Sequence, residues 1–143
     1  SCSNYLLSNQ IKKIMKSILN IAFATTILFM LVSCKKDKEN PTIVIAEPAN
    51  HSEHLWGAEV HIEATFADDR DLKSYHIHMG TETGDHTPEF DVEFSGDISG
   101  KTFDFHEHIV VPDSIEHVYY LHFEVTDAEG KSTEDKLMLH FMQ

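Results

Sequence analysis

The stretch EVHIEATFA, residues 59–67, decides the fold class, because apolar and polar side chains alternate along its whole length. Successive side chains of a β-strand point to opposite faces of the sheet, whereas an α-helix brings every third or fourth residue to one face. The apolar set of this stretch is Val60, Ile62, Ala64 and Phe66. The alternation therefore predicts a strand with one face in a core and the other in solvent.

Six more segments follow the same period of two and are separated by turn residues. They are residues 42–46, 72–79, 90–95, 103–111, 117–126 and 136–142. Turn signals such as DDRD at 68–71 and DAEG at 127–130 recur between them, and no segment has a convincing helical period. Short strands at this spacing are typical of an antiparallel sandwich. We predict one all-β domain over residues 41–143, an immunoglobulin-like antiparallel β-sandwich of about seven strands.

The N-terminal part of the chain is predicted to lie outside this domain. Met15 and Lys16 open a segment with a short positive start, and an almost unbroken apolar run follows at residues 18–32. The run is too short and wrongly flanked for a stable membrane span, and it is typical of a secretory signal. We interpret residues 1–14 as translation from upstream of the true start.

The end of the apolar run predicts a lipid anchor. The tetrapeptide LVSC at residues 31–34 resembles a bacterial lipobox, in which the cysteine is acylated and becomes the first mature residue. This interpretation gives a lipoprotein signal peptide at 15–33, lipidation of Cys34 and a polar tether at 34–40. An ordinary cleavable signal and an N-terminal anchor helix are the alternatives. A lipid on Cys34 would anchor the domain in a bacterial cell envelope, with the outer membrane as the expected location.

The inward-facing positions of the predicted strands are numerous enough for one hydrophobic core. They are Ile43, Ile45, Val60, Ile62, Phe66, Tyr75, Ile77, Phe90, Val92, Phe94, Phe103, Phe105, Ile109, Leu121, Phe123, Val125, Leu139 and Phe141. If Cys2 lies upstream of the true start and Cys34 is lipidated, the mature chain has no disulfide. An exported domain of this kind must then be stabilised by its core or by a metal.

Cutting the chain before Cys34 makes an acidic protein more acidic. The full sequence has 11 Lys and Arg, 24 Asp and Glu and a net charge of −13. Three lysines and no acidic residue precede Cys34, so eight basic residues and a net charge of −16 remain, together with all eleven histidines. Such a surface repels phosphate backbones, which argues against nucleic acid as a partner, and it attracts cations.

Several short motifs resemble those of a known bacterial family. They are PTI at 41–43, EATFADD at 63–69, LKSY at 72–75 with IH at 77–78, VVP at 110–112, and residues 120–127 with Gly130. Together they resemble an uncharacterised family of Bacteroidota lipoproteins with an Ig-like fold, domain of unknown function 4625. The resemblance implies the fold and the location given above, and no established activity. It also implies a histidine-rich loop after the third strand, where residues 80–88 of this chain hold a single histidine, His86.

Two His-x-His triplets are the most informative histidines. They pair His76 with His78 and His106 with His108. In a strand, residues i and i+2 share a face and lie about 6.5–7 Å apart. With Ile77 inward, the first pair points outward, and the apolar neighbours of the second pair predict the same. Such a pair and one cross-strand ligand can place imidazole nitrogens about 2.0–2.1 Å from a zinc ion.

Strand order assigns different partners to the two pairs. The third, sixth and seventh strands of an immunoglobulin-like sandwich are neighbours in one sheet. That order places His122 and His140 beside the first pair, and loop residue His86 can close over it. The second pair is expected on the opposite outer face, beside His61 and Glu63, and we favour the first pair as the site. The candidate metal ligands are His76, His78, His86, His106, His108 and His122.

The metal predicted from these ligands is zinc or copper, because imidazole with carboxylate suits both ions. Solvated surface histidines are the alternative for every one of these positions. A calcium site built from DDRD at 68–71 with Asp127 and Glu129 is a further alternative, in competition with a plain acidic turn.

These features predict a binding protein rather than an enzyme. It would capture zinc or copper for buffering or for hand-off to an outer-membrane transporter or another envelope protein. The alternative is a non-catalytic Ig-like interaction or accessory module of an envelope complex that binds no metal. A metal-dependent hydrolase would need an open coordination position and a general base within reach, and the sequence identifies no such base.

Overall fold

The computed structural model describes residues 39–143, so the predicted signal peptide and Cys34 lie outside the described residues. Eight strands are present in this part. They are β1 (Thr42–Glu47), β2 (Glu53–Leu55), β3 (Glu59–Ala67), β4 (Leu72–Gly80), β5 (Glu93–Asp97), β6 (Thr102–Val110), β7 (Val118–Asp127) and β8 (Ser132–Met142). Within residues 39–143, no helix is long and apolar enough to cross a membrane.

The strands form two sheets, one in the order β1-β3-β6 and the other in the order β2-β8-β7-β4-β5. The predicted all-β sandwich is therefore confirmed. β4, β7 and β8 correspond to the third, sixth and seventh predicted strands, and they are neighbours in one sheet as the immunoglobulin arrangement requires. This order sets His78 of β4 directly opposite His122 of β7.

The core lies between the two sheets and follows the alternation of the sequence. Ile62 and Phe66 of β3 and Ile77 of β4 have no exposed surface. All the predicted inward residues are either buried or packed against the buried cluster. Full burial of one such side chain stabilises the fold by about 1.5–3 kcal/mol. Ile115, which precedes β7, is also buried although no alternation predicts it.

Two elements differ from the predicted strands. β2 was not predicted, because three residues are too few to show a period, and it pairs with β8 in parallel, so the sandwich has eight strands and is not purely antiparallel. The strand predicted at 90–95 begins only at Glu93, because Pro88–Phe90 forms a 3-10 turn. Proline favours the first position of such a turn through its fixed φ. Phe90 remains in the core at 3% exposure.

The imidazole of His54, on β2, is partly removed from water. Its half-buried ring lies near the ring of Phe141, with centroids 6.0 Å apart, and its Nε2 is 2.8 Å from the hydroxyl of Ser52. Burial lowers the pKa of His54 below its usual value. The folded protein therefore takes up a proton at this position at lower pH than the unfolded chain does.

We expect His54→Gln to lose less stability on acidification than the wild type. As the pH falls below about 6.5, the unfolded chain binds the proton first, so the free energy of unfolding decreases. Well above that pH both states are neutral at His54 and the contribution vanishes. Urea unfolding at about pH 7.5 and at about pH 5 would measure the loss in each protein. Equal losses would contradict the assignment to His54, since glutamine keeps a polar partner for Ser52.

Candidate metal centre

His76 and His78 lie on the outer face of the five-stranded sheet, as the sequence predicts. Ile77 between them is fully buried, so the pleat of β4 turns both imidazoles to the other side. Their ring centroids are 4.9 Å apart and their planes differ by 20°. The burial of Ile77 thus fixes the outward orientation of His76 and His78.

His86 reaches this pair through a tight loop after β4. The loop reverses the chain so that His86 bridges back to Gly80, and the N–H of Thr81 donates to the carbonyl of Asp85 at 2.9 Å. A Cβ on Gly80 would lie 2.6 Å from that carbonyl oxygen, so the close approach requires glycine. Gly84 has a φ of +90°, a conformation that glycine adopts without strain. The ring centroids of His86 and His78 are 4.6 Å apart.

One ring nitrogen from each of His76, His78 and His86 lies within 4.8 Å of the others, and these three form the only such group of potential metal ligands in residues 39–143. His122 adjoins them from β7, with its ring stacked on that of His78 at 4.9 Å and 8°. We call these four residues the histidine cluster. It contains four of the six candidate ligands.

Hydrogen bonds to loop carbonyls fix the tautomers of His78 and His122. His78 Nε2 is 3.1 Å from the carbonyl oxygen of Gly84, and His122 Nε2 is 2.7 Å from that of Thr81. A carbonyl oxygen only accepts, so both Nε2 atoms donate, and Nδ1 is the atom left to carry a lone pair for a metal. His76 Nε2 contacts the carboxylate of Glu93 at 3.2 Å, which orients this ring as carboxylates orient metal-ligating histidines.

The pKa of His78 is lowered from its usual value, chiefly because the ring is removed from water. Repulsion from the rings of His122, His76 and His86 lowers it further, and the carbonyl of Gly84 works in the opposite direction. Neutral imidazole is the form that binds a metal. The surroundings of His78 therefore favour the neutral imidazole, which can bind a metal.

The orientation of the rings shows what metal binding would require. The planes of His76, His78 and His86 differ pairwise by 20–31°, so the rings are stacked rather than aimed at one point. A metal ion lies close to the plane of each imidazole that binds it, and nearly parallel planes do not meet within coordination distance. Two of the three rings must therefore turn. His86 is the best placed to do so, because its side chain is 47% exposed on the loop.

The cluster adjoins an acidic cleft. The cleft has a volume of about 250 Å³ and is lined by His76, His78, Thr83, Gly84, His122, Phe123, Glu124, Glu134 and Asp135. Carboxylates that line one cleft concentrate cations near its walls. The site combines imidazole ligands with a negative rim.

The second pair lies on the opposite outer face, as predicted. His108 of β6 is directly opposite His61 of β3, and His106 is opposite Glu63. The ring of His61 is 5.8 Å from that of His106 and 6.2 Å from that of His108. His106 and His108 therefore do not join the cluster on β4.

Two other predicted partners are engaged elsewhere. His140 contacts His51, with Nε2 and Nδ1 3.4 Å apart, instead of reaching the cluster. In the acidic turn proposed for calcium, Asp68 accepts the N–H groups of Arg70 and Asp71. No three of these carboxylates form a group of potential ligands within the described residues. The calcium alternative stays a prediction.

Sequence reasoning did not identify Glu93 or the two loop carbonyls as parts of the site. Glu93 is directly opposite His78 in the β4–β5 ladder, and its position follows only from the register of two strands. Backbone carbonyls carry no signal in the sequence. The pair Gly80 and Gly84 is the one local feature that could have indicated a loop folded back on β4.

Comparison with known proteins assigns the chain to a family. Residues 32–142 match the family described as domain of unknown function (DUF4625). The chain belongs to the DUF4625 family. The match covers nearly all of the described sandwich and confirms the family resemblance carried by the sequence motifs. No functionally curated protein matches this DUF4625 chain.

Solved structures resemble the DUF4625 sandwich only distantly. Wild-type OgpA from Akkermansia muciniphila aligns with 73% of this chain and 30% of its own, at 12% identity and a TM-score of 0.48. The sporulation control protein Spo0M from Bacillus subtilis aligns with 71% of this chain and 49% of its own, at 10% identity and a TM-score of 0.41. A Niemann-Pick type C2 protein from Japanese carpenter ant aligns with 75% of this chain and 96% of its own, at 14% identity and a TM-score of 0.40. The chain thus spans less than half of the first two proteins, and similarity this weak carries no argument about the DUF4625 site.

We expect Gly80→Ala to destabilise the loop that positions His86. The added methyl group would lie 2.6 Å from the backbone oxygen of Asp85, so the loop must move. Overpacking of this kind lowers the free energy of unfolding by about 1–3 kcal/mol. Urea unfolding would measure the change, and histidine NMR signals would report the separation of His86 from His78. Ser95→Ala, at an exposed position of β5, is the control, and equal effects of the two substitutions would refute the close approach.

Proposed function

We propose that this DUF4625 domain binds a divalent transition metal, zinc or copper, through His76, His78 and His86. The observation that carries the proposal is the approach of one ring nitrogen from each residue to within 4.8 Å of the others. Around a tetrahedral zinc with ligands at about 2.0–2.1 Å, two nitrogens are about 3.3–3.4 Å apart. Rotation of the rings and a small shift of the loop close the remaining gap.

His122 supplies the fourth position or leaves it open. It stacks on His78, but its Nε2 is committed to the carbonyl of Thr81 at 2.7 Å. Its Nδ1 is the atom that can complete a four-nitrogen site. If His122 stays on the loop, a water or a ligand from a partner protein completes the coordination, as in sites that keep one position open.

The donor atoms select the class of metal. The cluster offers imidazole nitrogens, with the carboxylate of Glu93 beside His76, and no thiol or thioether. Imidazole suits zinc and copper(II), whereas calcium and magnesium prefer oxygen ligands. The Irving–Williams order favours copper(II) at equal availability, so supply decides which ion occupies the site.

Capture and hand-off fit a site with one ligand on an exposed loop. His76, His78 and His122 are on neighbouring strands, and only His86 can leave without disturbing a sheet. Loss of one ligand weakens the complex and opens a route for exchange with another protein. The proposed role is therefore a binding protein without catalytic activity, which holds the ion and releases it to a transporter or another envelope protein.

The test is metal binding by the chelator-stripped protein. We expect the wild type to bind zinc or copper(II) with submicromolar affinity in calorimetry, and His76→Gln/His78→Gln to weaken this binding at least 100-fold. Zinc should also raise the melting temperature of the wild type, because a ligand specific to the folded state stabilises it by RT ln(1 + [L]/Kd).

The matched control is His51→Gln/His140→Gln. This pair also consists of two histidines in contact, with nitrogens 3.4 Å apart, and His140 is on β8 of the same sheet. Neither residue belongs to the group of His76, His78 and His86. The control variant should keep submicromolar affinity. Binding no tighter than millimolar in the wild type, without a thermal shift, would refute the proposal and favour the interaction module that needs no metal.

The proposed location is the outer membrane of a bacterial envelope, through a lipid on Cys34. The support is the LVSC sequence at residues 31–34 after an apolar run with a basic start.

In cells fed a labelled fatty acid, the wild type should carry the label and partition into detergent, and Cys34→Ala should do neither. Label on the Cys34→Ala protein, or none on the wild type, would contradict lipidation at this residue.

A further inference from the structure

The outer face of the three-stranded sheet carries a second group of potential ligands. Glu59, His61 and Glu63 alternate along β3, and His106 and His108 alternate along β6. The register places His61 directly opposite His108 and Glu63 directly opposite His106. Directly opposed residues have Cβ atoms about 4.5–5.5 Å apart, so these side chains share one patch of surface. We call these five residues the β3–β6 cluster.

The carboxylate of Glu59 lies between two imidazoles. Its Oε1 is 3.3 Å from His61 Nε2, and its Oε2 is 3.9 Å from His108 Nε2. Two ligands at about 2.0–2.1 Å from a tetrahedral metal are about 3.3–3.4 Å apart. The separation of Glu59 Oε1 and His61 Nε2 therefore already matches one edge of a coordination tetrahedron. His108 approaches the other oxygen of the carboxylate, and its ring centroid is 6.2 Å from that of His61, so its side chain must turn towards His61 to share an ion.

We infer that the β3–β6 cluster is a second metal site, in which His61, His108 and Glu59 bind a divalent transition metal. Two imidazoles and a carboxylate are a donor set that zinc and copper(II) accept. The neighbouring carboxylate of Glu63, whose Oε1 is 3.5 Å from Nδ1 of His106, supplies the fourth ligand, and His106 orients that carboxylate.

The second site binds more weakly than the histidine cluster. The side chains of His61, Glu59 and His108 are 49%, 52% and 58% exposed, so each must give up rotamer freedom to bind. No three ligand atoms of the β3–β6 cluster lie within 4.8 Å of one another, whereas those of His76, His78 and His86 do. Exposure also lets water and salt screen the carboxylates.

The two sites are independent. They lie on opposite outer faces of the sandwich, and packed sheets are about 10 Å apart, so no side chain can serve both ions. Occupancy of one site leaves the ligands of the other in place. The inference therefore does not rest on the function proposed for the histidine cluster, and it predicts two ions per chain at saturation.

The experiment is a zinc titration of the chelator-stripped protein and three variants, followed by equilibrium dialysis and calorimetry. We expect two zinc ions per wild-type chain, with affinities at least tenfold apart. His61→Gln/His108→Gln should lose only the weaker ion, and His76→Gln/His78→Gln only the tighter one. Asp104→Asn removes a carboxylate from the same face of β6, where it accepts a hydrogen bond from Thr65 at 2.7 Å, and it should keep both ions.

Each result decides between the two sites. A single ion that persists in His61→Gln/His108→Gln would overturn the second site and leave the first. A single ion that is lost only in that variant would establish the second site and overturn the first. Copper(II) titration adds a spectroscopic check, because hyperfine splitting should report two nitrogen ligands at the β3–β6 cluster. More than two nitrogens in His76→Gln/His78→Gln would contradict the proposed donor set.

Discussion

The candidate metal centre depends on the burial of one side chain, Ile77. Because Ile77 is fully enclosed between the sheets, the pleat of β4 sends His76 and His78 to the outer face. A shift of β4 by one residue would bury both imidazoles and expose Ile77. This shift is unfavourable, because apolar burial would be lost and the polar rings would be desolvated. The neighbouring strands then supply His122 from β7 and Glu93 from β5 in fixed register. The energetics of the core thus determine the positions of most of the ligands.

His86 is positioned by weaker, local interactions, and this difference links the loop to the site. His78 and His122 donate to the loop carbonyls of Gly84 and Thr81, respectively. These bonds restrict both the loop and the two rings. If the proposed metal bound to Nδ1 of His78, the bond to Gly84 would stay in place and keep the loop closed. A metal on Nε2 would replace that bond and release the loop. The choice of nitrogen would therefore decide whether binding orders the loop or opens it.

The alternation at 59–67 was enough to predict a strand, its buried face and its outward histidine, because a period of two is a property of one segment. The opposite placement of the two His-x-His pairs also followed from sequence, but only once an immunoglobulin strand order was assumed. The sequence does not predict β2, because this short strand is defined by its pairing with β8, which is far away in sequence. The proximity of His86 to His78 needed the close backbone approach at Gly80, which no periodicity encodes.

The surroundings of His78 differ from those of a histidine in open water. The pKa of this ring is lowered, because burial and the neighbouring rings outweigh the hydrogen bond to the carbonyl of Gly84. Glu124, Glu134 and Asp135 line the cleft without hydrogen bonds to that ring. The proposed cation site would use both features, negative charge on the cleft wall and a central imidazole whose neutral form is favoured.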